Sequence, residues 1–128
     1  MELLPGLKGT AQSLVRRADT AKEMGSGALL VYATPAVVAL MEQAACNALA
    51  EALPEEQTSV GTAMTLAHTS ATPVGMEVSA EATLTAVDGR RLTFEITAQD
   101  EKGEIAKATH ERFIVNVEHF LQKAYDKL

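Results

Sequence analysis

The sequence has little of what disulfide scaffolds, membrane spans or nucleic-acid surfaces require. Its 128 residues include one cysteine, no tryptophan and only 4% aromatic residues, and the net charge is −6. The single cysteine, Cys46, excludes an intrachain disulfide framework and is typical of a reducing compartment. The negative charge argues against a nucleic-acid partner. The apolar run at 28–41 is too short to span a membrane, and the amino terminus lacks a secretory signal pattern. We therefore expect a cytoplasmic protein.

The apolar content, in contrast, is sufficient for a folded core. The chain is 47% apolar and 22% charged, which is the composition of a globular protein. A chain of this length forms one core, so we expect residues 1–128 to be a single domain. The sequence contains no phosphate-binding loop, dinucleotide fingerprint or metal-ligand spacing, and it therefore predicts neither a cofactor nor a metal.

The stretch 34–53, TPAVVALMEQAACNALAEAL, predicts a long helix around which the chain is organised. Thr34 is a suitable N-cap, Pro35 suits the first helical position, and Pro54 ends the helix. Nearly every residue between these limits is apolar. The helix is therefore expected to be buried on most of its surface.

One carboxylate interrupts that apolar surface. The polar stripe of the helix consists of Gln43, Asn47 and Glu51, whereas Glu42 falls beside Val38 at 100° per residue. A carboxylate in such a place costs free energy unless it is paired, protonated or functional. The alternative interpretation is a helix-edge glutamate whose long stem reaches water.

Downstream of the helix the hydrophobic period changes from 3.6 to 2, which predicts strands. Alternation gives strands at 59–70, 76–87, 91–99 and 104–116, and a weaker first strand is expected at 8–17. The Asp88-Gly89 pair predicts a hairpin, and short turns make neighbouring strands antiparallel.

The order of elements predicts an α+β fold, in which a long antiparallel sheet packs on one buried helix. Residues 24–33 are expected to form a loop or lid packed by Leu29, Leu30, Val31 and Tyr32, and residues 117–128 a short amphipathic helix. The free sheet edge and the very apolar helix both favour a homodimer.

Several residues of the strands are candidates for a functional site. His68 lies on the face that packs on the helix, provided no bulge intervenes, and is either an acid–base group or a core histidine satisfied by one hydrogen bond. Gly61 has the opposite parity, and indicates a bulge, a close backbone approach or an amide offered to an oxyanion. His110 and Arg112 share one face of the last strand and are explained as ordinary edge-facing charges.

The sequence resembles the fluoroacetyl-CoA thioesterase family over residues 33–120. The likeness is carried by ATPAVVALMEQAA and by the block SVGTAMTLAHTSATPVGMEVSAEATLTAVDGRRLTFEITAQDEKGEIAKATHERF. The resemblance implies the hot-dog fold, an antiparallel sheet wrapped around a long helix and paired into a homodimer. It also implies an enzyme that hydrolyses a short-chain acyl-CoA substrate.

The resemblance further implies roles for five residues. The catalytic threonine, glutamate and histidine of the family match Thr34, Glu42 and His68, and its substrate-binding glycine and arginine match Gly61 and Arg112. Eight residues of helix separate Thr34 from Glu42 by about 12 Å, so the two side chains cannot touch within one straight helix. Either the acyl group lies between them or two chains combine; we favour a site at the dimer interface.

The segment before the helix departs from the family. The selective enzyme of the family carries an aromatic-rich lid there, whereas this chain has GSGALLVYA with a single tyrosine. We therefore expect short aliphatic acyl-CoAs to be hydrolysed at least as well as fluoroacetyl-CoA. The alternative is a closed lid in which Tyr32 takes the aromatic role from a shifted position. Two other functions remain open at this point: a hot-dog dimer that binds acyl-CoA or a small ligand without turnover, and, more weakly, a hydratase.

Overall fold

Five antiparallel strands form the sheet in the computed structural model, which describes residues 3–128. The strands are β1 (Lys8–Leu14), β2 (Gln57–His68), β3 (Glu77–Asp88), β4 (Arg91–Asp100) and β5 (Gly103–Asn116). The helices are α1 (Ala21–Met24), α2 (Thr34–Leu49) and α3 (Val117–Tyr125). The order across the sheet is β1-β3-β4-β5-β2, so β1 and β2 are the two edges.

The α+β architecture predicted from the sequence is confirmed. β2 to β5 begin and end within two residues of their predicted limits, and β1 is three residues shorter than expected. The predicted hairpin connects β3 to β4, with Gly89 in the left-handed region at φ 62°. Local alternation and turn chemistry were therefore sufficient to locate the strands.

α2 lies across the sheet and supplies one of the two layers that enclose the core. Its buried residues pack against inward side chains of the central strands, including Leu84, Phe94 and Ile96. Full burial of each such apolar side chain contributes about 1.5–3 kcal/mol. The helix ends at Leu49, before the predicted limit, and turns lead on to Pro54, which disfavours helical backbone at the residue before it.

The predicted N-cap of α2 is wrong. Ala33 occupies the cap position with extended backbone and provides no side-chain hydrogen bond. Thr34 is consequently the first helical residue and Pro35 the second. The Thr34 hydroxyl is therefore free to bond elsewhere.

A bulge in β2 changes which of its residues face α2. The pairing of β2 with β5 is regular except between Gly61 and Ala63, where Thr62 is an extra residue. Because one extra residue reverses the alternation, Gly61 faces α2 on the same side as His68. The opposite parity predicted for these two residues is wrong, whereas the bulge indicated by a strand glycine is confirmed.

The segment predicted to be a lid has an exposed part and an anchored end. Leu29 and Leu30 are 67% and 41% exposed, so they do not pack the segment as expected. Tyr32 is buried, and its hydroxyl donates to a backbone carbonyl of α2 at 3.3 Å. Burial, together with the nearby charge of Asp19, raises the pKa of Tyr32 to about 12. The ring is therefore a neutral part of the core.

The chain ends in the predicted amphipathic helix, α3. Asn116 caps it by accepting a hydrogen bond from the His119 amide at 3.0 Å, and Phe120, Leu121 and Tyr125 remain exposed. Across residues 3–128, no helix has the length and apolar character needed to cross a membrane.

β1 crosses α2 without space for a side chain between the two backbones. A Cβ added at Gly9 would collide with the backbone of Ala44 and Ala48, and would lie 2.7 Å from the Ala48 Cα. The Asn47 side chain donates to the Thr10 carbonyl at 2.7 Å and fixes the crossing. The small residues of α2 are thus required for the strand to approach.

This close crossing predicts that Gly9→Ala destabilises the fold. We expect the free energy of unfolding to fall by about 1–3 kcal/mol, because backbone atoms cannot yield as a flexible side chain does. Urea unfolding measures the change. Gly27→Ala is the control, since its added Cβ meets only the Ala21 Cβ at 3.2 Å. Equal stabilities for the two variants would contradict the close crossing.

Candidate active site

The first residue of α2 and the last residue of β2 meet at one end of the helix. Thr34 Oγ1 lies 2.9 Å from His68 Nδ1, within hydrogen-bonding distance. His68 Nε2 is buried and has no hydrogen-bond partner within residues 3–128. The predicted helix-facing orientation of His68 is confirmed. A hydroxyl bonded to an imidazole whose other nitrogen is unpaired is suited to proton transfer.

Two turns further along α2, Glu42 forms an ion pair with Arg112 of β5. Glu42 Oε2 lies 3.1 Å from Arg112 Nη1. The Arg112 side chain is 6% exposed and the Glu42 side chain 40% exposed. The carboxylate therefore keeps one open side while the guanidinium holds the other, and charge-assisted hydrogen bonds of this kind are the strong ones.

The Arg112 guanidinium is enclosed by partners within the chain. Nε donates to Ser59 Oγ at 2.8 Å, Nη2 to the Ser59 carbonyl at 3.0 Å, and Nη1 also lies 3.1 Å from His110 Nε2. β5 lies between β4 and β2, and His110 and Arg112 are only 1% and 5% exposed. The interpretation of this pair as edge-facing charges is wrong. The enclosure favours a role for Arg112 in orienting Glu42.

Gly61 lies directly against the ion pair. A Cβ at this position would collide with Glu42 Oε2 and would lie 3.3 Å from Arg112 Nη1. Only glycine lets the carboxylate lie over the strand backbone here. The close backbone approach expected from a strand glycine is confirmed.

The five candidate residues thus form two clusters on one side of α2. Thr34 and His68 form the first, and Glu42, Gly61 and Arg112 form the second, about 12 Å further along the helix axis. No hydrogen bond or ion pair joins the two clusters within the described residues. A cavity of about 360 Å³ lies between β1, α1 and α2, and none of the five residues lines it.

The sequence interpretation missed Ser59 and gave His110 no function. The signal for His110 was its position two residues before Arg112 on the same strand face. Ser59 carried no signal, because the bulge at Thr62 hides which face it occupies. Among residues 3–128, no group of three or more histidine, cysteine, aspartate or glutamate side chains is arranged to hold a metal ion.

The partners of His110 assign its tautomer. The Ala63 carbonyl can only accept, so Nδ1 carries the hydrogen and donates at 2.7 Å, and Arg112 can only donate, so Nε2 accepts. Burial lowers the pKa of His110. The Arg112 charge lowers it further, against the opposing effects of the Ala63 bond and the Glu42 charge. The ring is held neutral.

A lowered histidine pKa makes stability depend on pH. The unfolded chain protonates His110 near the ordinary value of 6.5, whereas the folded chain does so only at lower pH. In that window the unfolded state binds more protons, so the stabilisation present above about pH 6.5 is lost as pH falls toward the folded pKa.

We therefore predict that wild-type stability falls more steeply than that of His110→Gln as pH decreases from about 7 through 6.5 and below. Chemical unfolding at a series of pH values measures the difference. His119→Gln, on the exposed helix α3, is the control and should follow the wild type. Parallel pH dependence of wild type and His110→Gln would contradict the assignment.

The chain matches known proteins in sequence. The model of a family described as fluoroacetyl-CoA-specific thioesterase matches residues 15–118. The fluoroacetyl-CoA thioesterase of Streptantibioticus cattleyicolor is 42% identical over 97 residues, which cover 76% of this chain and 70% of that protein. The residues that the family model matches include both clusters of the candidate site.

Solved structures agree with the fold. A mutant of the fluoroacetyl-CoA-specific thioesterase FlK, in complex with fluoroacetate and CoA, matches with a TM-score of 0.87 and 35% identity, over 92% of this chain and 99% of that chain. A hot-dog-like protein from Thermanaerovibrio acidaminovorans matches with a TM-score of 0.86 and 26% identity, over 97% and 92% of the two chains. The sheet and its long helix form the hot-dog fold, and the chain belongs to the fluoroacetyl-CoA-specific thioesterase family.

Proposed function

We propose that this thioesterase hydrolyses short-chain acyl-CoA thioesters with Thr34, Glu42 and His68 as its catalytic residues. Membership of the family supports the reaction. The observation that supports the residues is their pairing. Thr34 is bonded to a histidine, and Glu42 is held by a buried arginine with one side left open.

In the proposed mechanism, Glu42 acts on the thioester carbonyl. It either attacks the carbonyl carbon to give an anhydride that water then hydrolyses, or removes a proton from the water that attacks. Both routes consume one water and release a carboxylic acid and the CoA thiol. The Gly61 amide stabilises the oxyanion, and Thr34 with His68 delivers the proton to the leaving thiolate.

We further propose that each site is completed by a second copy of the chain. β2 is a twelve-residue edge strand that pairs only with β5 within the described residues. Such an edge is a template for another strand. If two copies pair about a two-fold axis at Thr65, His68 of one β2 lies across from Gly61 of the partner subunit, because both lie three paired positions from the axis once the extra residue Thr62 is left out of the count.

This arrangement resolves the separation of the two clusters. Thr34 and His68 of one chain would face Glu42, Gly61 and Arg112 of the partner subunit, with the acyl group between them. Residues 3–128 have one sheet and one hydrophobic core, which supports the proposal that each chain of the dimer is a single domain. The low cysteine content supports a cytoplasmic location.

The activity is tested with a panel of acyl-CoAs and a thiol reporter. We expect thiol release with acetyl-, propionyl-, butyryl- and fluoroacetyl-CoA, and a loss of at least about a hundredfold in kcat for Glu42→Gln, as for other catalytic groups. Absence of release with every substrate would refute hydrolysis. Tight acyl-CoA binding that Glu42→Gln leaves unchanged, without turnover, would indicate a binding module, and water addition to an enoyl-CoA would indicate a hydratase.

The same panel reports selectivity. The segment at 24–30 is exposed, and the Tyr32 ring packs in the core, so no aromatic ring of the stretch before α2 narrows the acyl pocket in the single chain. An added methylene on the acyl group changes kcat/KM in an aliphatic pocket by about ten- to two-hundredfold, so the panel also reports the preferred chain length. Because no aromatic ring narrows the pocket, we expect no strong preference for fluoroacetyl-CoA over acetyl-CoA.

Mixing two inactive variants tests the shared site. Thr34→Ala and Glu42→Gln each damage both sites of a homodimer. A mixed dimer keeps one intact site if the two clusters come from different chains. We predict that co-refolding equal amounts restores roughly a quarter of wild-type activity, since half of the dimers are mixed and each has one good site.

The control for this experiment is a mixture of Thr34→Ala with His68→Ala, which damage the same cluster. That mixture should remain inactive. Restoration in neither mixture would show that each site lies within one chain, and sedimentation of a fully active monomer would exclude the dimer.

A further inference from the structure

We propose that His110 is a positioning residue that holds Arg112, and through it Glu42, in the reactive arrangement and fixes the bulge that presents Gly61. This inference rests on the proposed function, because part of its effect is read through thioester hydrolysis. His110 is 1% exposed, and its Nε2 contacts the buried guanidinium of Arg112. It therefore acts through other residues.

The hydrogen bonds of Arg112 fix the orientation of its guanidinium. Nη1 carries two hydrogens: one reaches Glu42 Oε2 at 3.1 Å, and the other reaches His110 Nε2 at 3.1 Å. With Nε and Nη2 both bonded to Ser59, the imidazole removes the last rotational freedom of the guanidinium. An acceptor at this point fixes the direction in which Nη1 meets Glu42.

Side chains of β5 hold the bulge of β2 in place. They bind the β2 backbone on both sides of the extra residue Thr62: His110 donates to the Ala63 carbonyl at 2.7 Å, and Arg112 donates to the Ser59 carbonyl at 3.0 Å. Gly61 lies between these two attachments. A bulge disrupts the ladder locally, so side-chain bonds must satisfy and hold the displaced backbone. The His110 ring thus influences two groups of the proposed site: the Glu42 carboxylate through Arg112, and the Gly61 amide through the bulge.

The groups around His110 determine the charge of its imidazole. Only neutral imidazole fits, because a hydrogen on Nε2 would point at the guanidinium of Arg112. The other groups facing the ring are Glu42 from α2, with Oε2 3.9 Å from Nε2, and the uncharged Phe94 from β4 and Ala63 from β2. A protonated ring would compete with Arg112 for the Glu42 carboxylate. Protonation of His110 should therefore lower kcat in acid.

Two substitutions separate the bonds of His110 from its volume. His110→Phe keeps a ring beside Phe94 and removes both hydrogen bonds, whereas the amide of His110→Gln retains one donor and one acceptor and does not titrate. We expect His110→Phe to lose about ten- to a hundredfold in kcat with little change in KM, the effect of losing a hydrogen bond to a charged group. His110→Gln should keep most of the activity and lose part of the acid limb of the pH–kcat profile.

His119→Gln is the matched control, since His119 lies on the exposed helix α3 and should leave both kcat and the profile unchanged. Wild-type kcat in a His110→Phe variant of native stability would overturn the proposal. So would a loss in His110→Gln as large as that in His110→Phe. If His110→Phe does not fold, the pH profile of His110→Gln decides, and an acid limb identical to wild type overturns the proposal.

A spectroscopic measurement separates this inference from the proposed function. Nitrogen-15 NMR of the wild-type imidazoles should show His110 as the neutral Nδ1–H tautomer, persisting below the ordinary histidine pKa of 6.5. Failure of all acyl-CoAs to react would refute the proposed function and leave this tautomer intact. The Nε2–H tautomer, or a cationic ring near neutral pH, would refute the positioning role whatever the activity.

Discussion

A guanidinium removed from water must keep its hydrogens bonded, and that requirement organises the site around Arg112. Its donors reach a strand carbonyl, a hydroxyl, an imidazole and the one carboxylate on the inner side of α2. Glu42 therefore belongs on an otherwise apolar helix because the sheet beneath it carries a buried cation. The absence of a side chain at Gly61 follows from the same contact, since the carboxylate occupies the space that a Cβ would fill.

The fold was predictable where its causes are local. Alternation and turn residues located the strands, and an apolar stretch after Thr34-Pro35 located α2. The predicted N-cap of α2 was wrong because a helix can begin after either Ala33 or Thr34. The Thr34 hydroxyl bonds to His68 instead of to a helix amide. Gly61 indicated a bulge, but its effect on the strand faces was not predictable, because one extra residue leaves each half of the alternation looking regular.

The candidate site was predictable only in part. Glu42 stood out on the helical wheel as a misplaced carboxylate, and strand alternation made His68 and Gly61 candidates. The family resemblance supplied the roles of all five residues. The burial of His110 depends on strand order, which places β5 between β4 and β2 through pairing that no local pattern encodes. Ser59 was concealed for a second non-local reason, since its face is set by the bulge and its partner lies on another strand.

The contact of Gly9 with the backbone of α2 has a consequence for where the chain tolerates substitution. A helix in direct backbone contact with a strand cannot slide along it, so Thr34 and Glu42 keep fixed positions over the sheet. The segment at 24–30, in contrast, is exposed along its whole length, so few of its side-chain atoms pack against the rest of the protein. Substitutions in those seven residues should therefore cost less free energy of unfolding than substitutions at Gly9.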